Sequence, residues 1–170
     1  MHFTHRLRAL LFHGCLFATI LIAGCAGPVS EKPLNTLRNE FWTGRISLNV
    51  KSEPEQSFSA GFELKGRSGR GELTLISPLG NVLGVLRWAP GEAELDSGNG
   101  RIQRFDSVDA LMAQATGAAV PLAALFAWLQ GDNATASGWS ADLSRHGEGR
   151  IAATRMQPMP QADLRVVLDQ

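Results

Sequence analysis

Residues 45–51, Arg45-Ile46-Ser47-Leu48-Asn49-Val50-Lys51, decide the fold class of this chain. Apolar and polar side chains alternate along the stretch with a period of two. An extended segment places such apolar side chains on one side, whereas a helix would spread them around its circumference. The stretch therefore predicts a β-strand with one face against a core and the other in water.

The same alternation of apolar and polar residues recurs in other segments, both before and after the middle of the sequence. Turn residues separate the segments, as in Gly66-Arg67-Ser68-Gly69 and Ala89-Pro90-Gly91, where proline and glycine suit tight turns. Short alternating strands joined by turns predict one antiparallel sheet. With 45–51, the predicted strands are 58–65, 72–76, 82–88, 92–96, 101–105, 139–145, 150–155 and 163–169.

Two helices interrupt the strands. The first follows the capping residues Asp106 and Ser107 and ends before Gly117. The second opens at Pro121, closes at Gly131 and has no charged residue between. So much apolar surface on a short helix must lie against a larger element. We therefore predict a mainly β fold, a curved antiparallel sheet with helices against its concave apolar face.

The N-terminus carries an export signal. Arg6 and Arg8 precede an apolar run over residues 9–23, and small residues follow, which is typical of a secretory signal. Its end, Ile22-Ala23-Gly24-Cys25, resembles the lipobox of bacterial lipoproteins. That resemblance implies a diacylglyceryl group on the Cys25 thiol, cleavage before Cys25 and acylation of the new N-terminus. We predict a signal peptide over 1–24, a lipidated tether over 25–38 and a folded domain over 39–170.

Composition removes several classes of function. Without residues 1–24 the chain has 14 Lys and Arg against 16 Asp and Glu, a net charge of −2, which gives no electrostatic case for nucleic acid. His146 is the only histidine after residue 24, and Cys25 is the only cysteine. A zinc site needs several such ligands. We predict no metal, no cofactor and no enzymatic activity, with His146 in a solvated turn.

Periodicity leaves the interior undecided. A curved sheet covered by helices either encloses an apolar cavity or forms a solid core, because both produce alternating strands and amphipathic helices. From the pattern alone, the solid core is favoured.

Four segments resemble the LolB family of outer-membrane lipoprotein receptors, in order and spacing over most of residues 40–170. They are Trp42-Thr43-Gly44-Arg45, Ser77-Pro78-Leu79-Gly80, the helix over 121–131 and Gly138-Trp139. The resemblance implies an incomplete antiparallel β-barrel with a helical lid around an apolar cavity. In that family the cavity takes acyl chains of lipoproteins from the soluble periplasmic carrier LolA and passes them to the outer membrane.

The resemblance also assigns roles to residues. It implies that the turn at Leu79 projects an apolar side chain that assists delivery to the membrane. We expect ten residues to line the acyl-chain cavity: Ile46, Leu48, Phe62, Leu64, Leu73, Leu75, Leu122, Leu125, Phe126 and Leu129. The implied partners are a LolA-type carrier, acyl chains of client lipoproteins and outer-membrane lipid, with the protein a monomer. Ala26 after Cys25 fits an outer-membrane, periplasm-facing location, because the common inner-membrane retention signal is Asp there.

Two alternatives stay open. The first is a structural or assembly lipoprotein with a solid core that binds a protein partner through its sheet edge. The second is a lipid-modifying enzyme, against which the single His146 argues.

Overall fold

A computed structural model of the chain describes residues 40–116 and 118–170. The predicted signal peptide, Cys25 and the tether over 25–38 lie outside the described residues and stay predictions. In the described part, no helix combines the length and hydropathy that a bilayer span requires.

Nine strands form one antiparallel sheet, as the alternation predicts. Across the sheet their order is β6-β5-β4-β3-β2-β1-β9-β8-β7, so β6 and β7 are its edges and the sheet is open. The predicted incomplete barrel is thereby confirmed. In chain order the strands are β1 Phe41–Val50, β2 Gln56–Arg67, β3 Arg70–Ile76, β4 Val82–Ala89, β5 Glu92–Asp96, β6 Ile102–Phe105, β7 Trp139–Asp142, β8 Arg150–Arg155 and β9 Ala162–Leu168.

The first strand begins four residues earlier than predicted. Phe41 and Trp42 already pair with β2, and the strand continues through Gly44. A Cβ at Gly44 would lie 2.1 Å from the Val167 carbonyl oxygen of β9, so close pairing there requires glycine. Because glycine has no side chain, it interrupts the alternation on which the prediction depended.

Strand β7 ends three residues earlier than predicted. The Asp142 carboxylate accepts a hydrogen bond from the Ser144 backbone N–H at 2.9 Å, which turns the chain out of the sheet. A short 3-10 helix, His146–Glu148, then leads into β8. The predicted turn at 145–149 is present, but it begins earlier.

The two predicted helices are α1, Val108–Thr116, and α2, Leu122–Leu129. Ser107 caps α1, since its hydroxyl oxygen accepts the Ala110 N–H at 3.1 Å. Gly131 has a φ of +87° just after α2, the left-handed conformation that glycine adopts at helix ends. Six of the eight residues of α2 are buried, so this helix packs against the core as predicted.

The two ends of the sheet differ in what they carry. At one end of the sheet, β1 and β3 finish and β2 and β4 begin, and Val50 pairs with Gln56. We call this the mouth end. The opposite end, where β1 begins at Phe41, is the base end. Because side chains opposite each other share a face, the Leu48–Phe58 and Trp42–Leu64 pairs both belong to the apolar face, near the mouth and the base respectively.

Candidate ligand cavity

A cavity of about 360 Å³ lies between the apolar face of the sheet and the two helices. Its volume falls within the roughly 300–1,000 Å³ typical of small-molecule sites. The residues that line it are Ile46, Leu48, Val50, Gln56, Ser57, Phe58, Leu73, Leu75, Leu83, Gly84, Leu86, Leu95, Ser97, Met112, Val120, Leu122, Leu125 and Leu164.

The cavity wall is aliphatic and uncharged. None of the described residues that line it carries a charge, and Phe58 is its one aromatic ring. The polar lining residues are Gln56, Ser57 and Ser97, which lie where β2 begins and just after β5 ends. Both places belong to the mouth end, so the cavity is apolar inside and polar at its rim. Such a wall suits a flexible hydrocarbon chain and provides no partner for a buried charge.

The helices supply the wall that faces the sheet. Leu122 and Leu125 of α2 point into the cavity one turn apart, and Met112 of α1 lies beside them. Methionine is flexible and fits irregular space, so it suits the wall of an irregular apolar cavity. The cavity is therefore enclosed by strands on one side and by a helical lid on the other.

Six of the ten predicted cavity residues line this cavity: Ile46, Leu48, Leu73, Leu75, Leu122 and Leu125. The other four are buried in the core and do not border this volume: Phe62, Leu64, Phe126 and Leu129. Phe62 and Leu64 pair with Gly44 and Trp42, in the half of β1 near the base.

Aromatic rings make the base end solid. Phe126 meets Trp42 edge to face at 5.5 Å between ring centroids and Trp88 at 6.3 Å. The Trp88 indole N–H donates to the Arg67 carbonyl at 3.1 Å, so this ring has a fixed position. Because three large rings fill the space between α2 and the strands, side chains at this end pack against atoms on every side.

Twelve lining residues were missed. Four are polar or glycine, namely Gln56, Ser57, Gly84 and Ser97, and eight are large and hydrophobic: Val50, Phe58, Leu83, Leu86, Leu95, Met112, Val120 and Leu164. Alternation places Leu86, Leu95 and Leu164 on the apolar face, so a fuller use of that pattern would have found them. Leu83 is different, because it lies at an irregularity in the β3–β4 register, where Leu75 pairs with Gly84 and Ile76 pairs with Val82. A strict period of two does not place residues beyond such a shift.

Leu79 lies in the turn between β3 and β4, at the mouth end. The Ser77 N–H donates to the Asn81 carbonyl at 2.8 Å, and the Gly80 N–H donates to the Ser77 carbonyl at 2.9 Å. The Ser77 hydroxyl also accepts the Asn81 N–H at 3.1 Å. These bonds define the turn, and the Leu79 side chain at its tip is 88% exposed.

His146 is not the solvated histidine that the sequence predicts. Its ring is half-buried, and Nε2 lies 3.1 Å from the Leu129 carbonyl oxygen at the end of α2. The ring also occupies the space beside Gly131, 3.0 Å from where a Cβ would be. His146 thus joins the turn before β8 to the end of α2, at the base end and away from the cavity.

The titratable groups with shifted pKa values also lie near the base. Arg145 lowers the pKa of Glu148, first through a hydrogen bond and then through its charge. The Ser144 hydrogen bonds lower the pKa of Asp142. Asp142, Arg145 and Glu148 are all exposed and do not line the cavity. They therefore belong to a surface turn.

Comparison with known proteins agrees with this architecture. The family model described as "Outer membrane lipoprotein LolB" matches residues 41–161. The outer-membrane lipoprotein LolB of Bordetella petrii is 30% identical, over 88% of this chain and 87% of its own length. Those of Cupriavidus pinatubonensis and Cupriavidus necator are each 32% identical over 81% of this chain, covering 68% and 71% of the relatives. The chain therefore belongs to the LolB family of outer membrane lipoproteins.

Proposed function

We propose that this protein is an outer-membrane-anchored receptor that accepts acylated lipoproteins from a soluble periplasmic carrier of the LolA type and inserts them into the outer membrane. The observation that supports this most is the uncharged cavity between sheet and helical lid, with its polar rim at the same end as the exposed Leu79. An acyl chain fits such a wall, whereas a charged headgroup would remain at the rim.

The energetics of acyl chains favour transfer between protected sites. A chain of roughly 15 methylenes gains about 12 kcal/mol on leaving water. A client therefore cannot cross the periplasm free, and its chains must pass from one apolar cavity to another and then into a bilayer. The direction of transfer requires only a difference in affinity, with no nucleotide, metal or cofactor.

The anchor is Cys25. Its lipobox and the family's description as outer membrane lipoproteins support acylation of Cys25 and a periplasm-facing position on the outer membrane. Ala26 at the next position is compatible with that location. We propose that the receptor acts as a monomer, without enzymatic activity or nucleic-acid binding. Mass spectrometry of protein from bacterial membranes tests the anchor, and an unmodified N-terminus at another residue would exclude it.

Leu79 has a part in delivery. At 88% exposure it contributes nothing to the core, and it stands between the two strands that supply Leu75 and Leu83 to the cavity. An aliphatic side chain there can enter the apolar layer of a bilayer while the client's chains leave the cavity. Of the ten residues predicted for the cavity, six border the volume described above, and we propose that these six contact the acyl chain.

The decisive experiment measures transfer of an acylated lipoprotein from its carrier to vesicles that hold this protein. We expect Leu75→Trp to fill the cavity and abolish transfer. Leu168→Trp is the matched control, because Leu168 is half-buried against the core but does not border the cavity. Normal transfer by a folded Leu75→Trp protein would exclude the proposal.

A structural lipoprotein with a solid core is the second candidate. It predicts a filled interior, whereas the mouth end holds the cavity described above. A fluorescent hydrophobic probe separates the two, because its emission rises only if the cavity admits it. Loss of that rise in Leu75→Trp would assign the signal to the cavity.

A further inference from the structure

A second exposed apolar loop lies at the mouth end. It connects β8 to β9 and consists of Met156-Gln157-Pro158-Met159-Pro160-Gln161, which we call the methionine loop. The side chains of Met156 and Met159 are 57% and 63% exposed. No residue of the loop is charged.

A buried arginine holds the methionine loop in place. Arg155 is 5% exposed, and its Nε and Nη2 donate to the Pro160 carbonyl at 3.2 and 2.8 Å. Its guanidinium lies 5.8 Å from the centre of the Trp139 ring. Two hydrogen bonds to one carbonyl fix the far side of the loop against the sheet.

Gly138 holds the near side. The Met156 N–H donates to the Gly138 carbonyl at 3.3 Å. At the φ of +74° found there, a Cβ would lie 1.4 Å from the Gln157 carbonyl oxygen, so the backbones meet directly. A loop fixed at both sides keeps its two methionines outward, and a preordered contact loses little entropy on binding.

Register places the methionine loop beside the cavity mouth. Arg155 pairs with Ala162, and Ala162 pairs with Val50 at the end of β1. The Lys51 N–H donates to the Gln161 carbonyl at 2.8 Å. Four strand spacings separate this hairpin from the Leu79 hairpin, about 19 Å along the curved sheet. The two uncharged loops therefore stand on either side of the β1–β2 connection.

Exposed apolar side chains concentrate at this end. Among the described residues, nine large hydrophobic side chains are exposed. Phe41 and Val167 lie toward the base, and the other seven lie at the mouth: Phe58, Leu79, Val82, Leu83, Ile102, Met156 and Met159. The turns at the base carry charges, among them Arg67 and Glu148. At the mouth, the β1–β2 connection carries Lys51, Glu53 and Glu55 and the β5–β6 connection carries Arg101, so the uncharged connections there are the Leu79 turn and the methionine loop.

The length of the N-terminal segment allows the mouth to reach the membrane. The described chain starts at the base end, and Phe41 is 16 residue steps from the predicted lipid anchor at Cys25. A fully extended segment of that length spans about 55 Å. The ten-residue strand β1, which runs from the base to the mouth, is about 33 Å long. An anchored molecule can thus turn its mouth toward the bilayer that holds it.

We propose that the methionine loop is a second bilayer-contacting element, which enters the membrane surface together with Leu79 and holds the cavity mouth against the lipid. The proposal rests on the receptor function and adds a docking site to it. Uncharged loops lose little solvation in the interfacial layer, and methionine side chains gain by leaving water.

The test places an environment-sensitive fluorophore at single cysteines in the mature, lipidated protein. It is reconstituted in vesicles of phosphatidylethanolamine and phosphatidylglycerol with and without brominated acyl chains. The variants are Met159→Cys, Leu79→Cys and, as the base-end control, Ser68→Cys in the exposed β2–β3 turn. The parent protein, labelled in parallel, reports any signal from Cys25.

We expect blue-shifted emission and quenching by brominated chains at positions 159 and 79, and neither at 68. Quenching at 79 without quenching at 159 would overturn the proposal, as would a shift at 159 that requires the carrier. Transfer of lipoprotein is measured on the unlabelled variant Met159→Gln, with Met159→Leu as the conservative control. Normal quenching with failed transfer in the parent would contradict the receptor function while leaving the docking site intact.

Discussion

Trp42 and Phe126 meet edge to face, with ring centroids 5.5 Å apart and planes at 79°. One ring belongs to β1 and the other to α2, so the contact joins the sheet to the helical lid. It lies at the base end, while the cavity lies toward the mouth. The lid is thereby attached at one end and borders free space at the other.

Phe126→Ala tests this attachment. The substitution removes two edge-to-face contacts and leaves a void, so we expect the free energy of unfolding to fall by about 3–5 kcal/mol. Urea denaturation of the purified protein measures the change. Phe126→Leu should recover most of the loss, and a decrease below about 1 kcal/mol for Phe126→Ala would contradict this account.

Leu79→Glu should separate stability from delivery. Because the side chain is 88% exposed, we expect a change in unfolding free energy within about 0.5 kcal/mol. Transfer of lipoprotein to vesicles should fall strongly, since a carboxylate does not enter the apolar layer. Val167→Glu is the control, an exposed aliphatic residue near the base that should leave transfer unchanged. Equal transfer by both variants would show that the turn has no role in delivery.

Binding in the cavity should not depend on pH. No titratable side chain is among the lining residues, so we expect an uncharged acyl ester to bind equally from about pH 5 to about pH 8. Arg145 lowers the pKa of Glu148, so that pair's stabilising effect is lost only as pH falls below this range. Fluorescence titration of the ester at several pH values measures the affinity. A clear change in affinity would reveal a titrating group at the mouth.

Arg155→Met should loosen the methionine loop. The variant loses two hydrogen bonds to the Pro160 carbonyl, so we expect about 1–3 kcal/mol of destabilisation. Amide hydrogen exchange over residues 156–161 should rise more than exchange in the rest of β8 and β9. Arg150→Met is the control at an exposed position of the same strand. Unchanged exchange in the loop would show that Arg155 does not hold it.

The strands and helices were predictable because each has a side-chain period of its own. All nine predicted strands and both helices are present, and the family resemblance in four segments is confirmed. The predicted strand bounds were wrong where a residue does not follow the alternation of apolar and polar side chains. The predicted start of β1 was four residues too late, because Gly44 interrupts the alternation. The predicted end of β7 was too late, because the Asp142 carboxylate accepts a hydrogen bond from the Ser144 N–H and the strand ends there.

The cavity was only partly predictable, because periodicity gives the face of a residue and not its height along the strand. Ile46 and Leu64 belong to the same apolar face, yet one borders the cavity and the other lies in the solid base. The difference arises from the rings of Trp42, Trp88 and Phe126, which converge from three separate elements. The methionine loop went unnoticed because the sequence does not show that Arg155 is buried beneath it.

The two unpaired edges of the sheet have a mechanical consequence. A closed barrel has a fixed circumference, since widening it means breaking hydrogen bonds between strands. Here β6 and β7 each pair on one side only, so the perimeter around the cavity can expand while every strand keeps its partners. Under the receptor function proposed above, such a container would adjust its capacity to the cargo, so that acyl chains of different length and number would share one binding site.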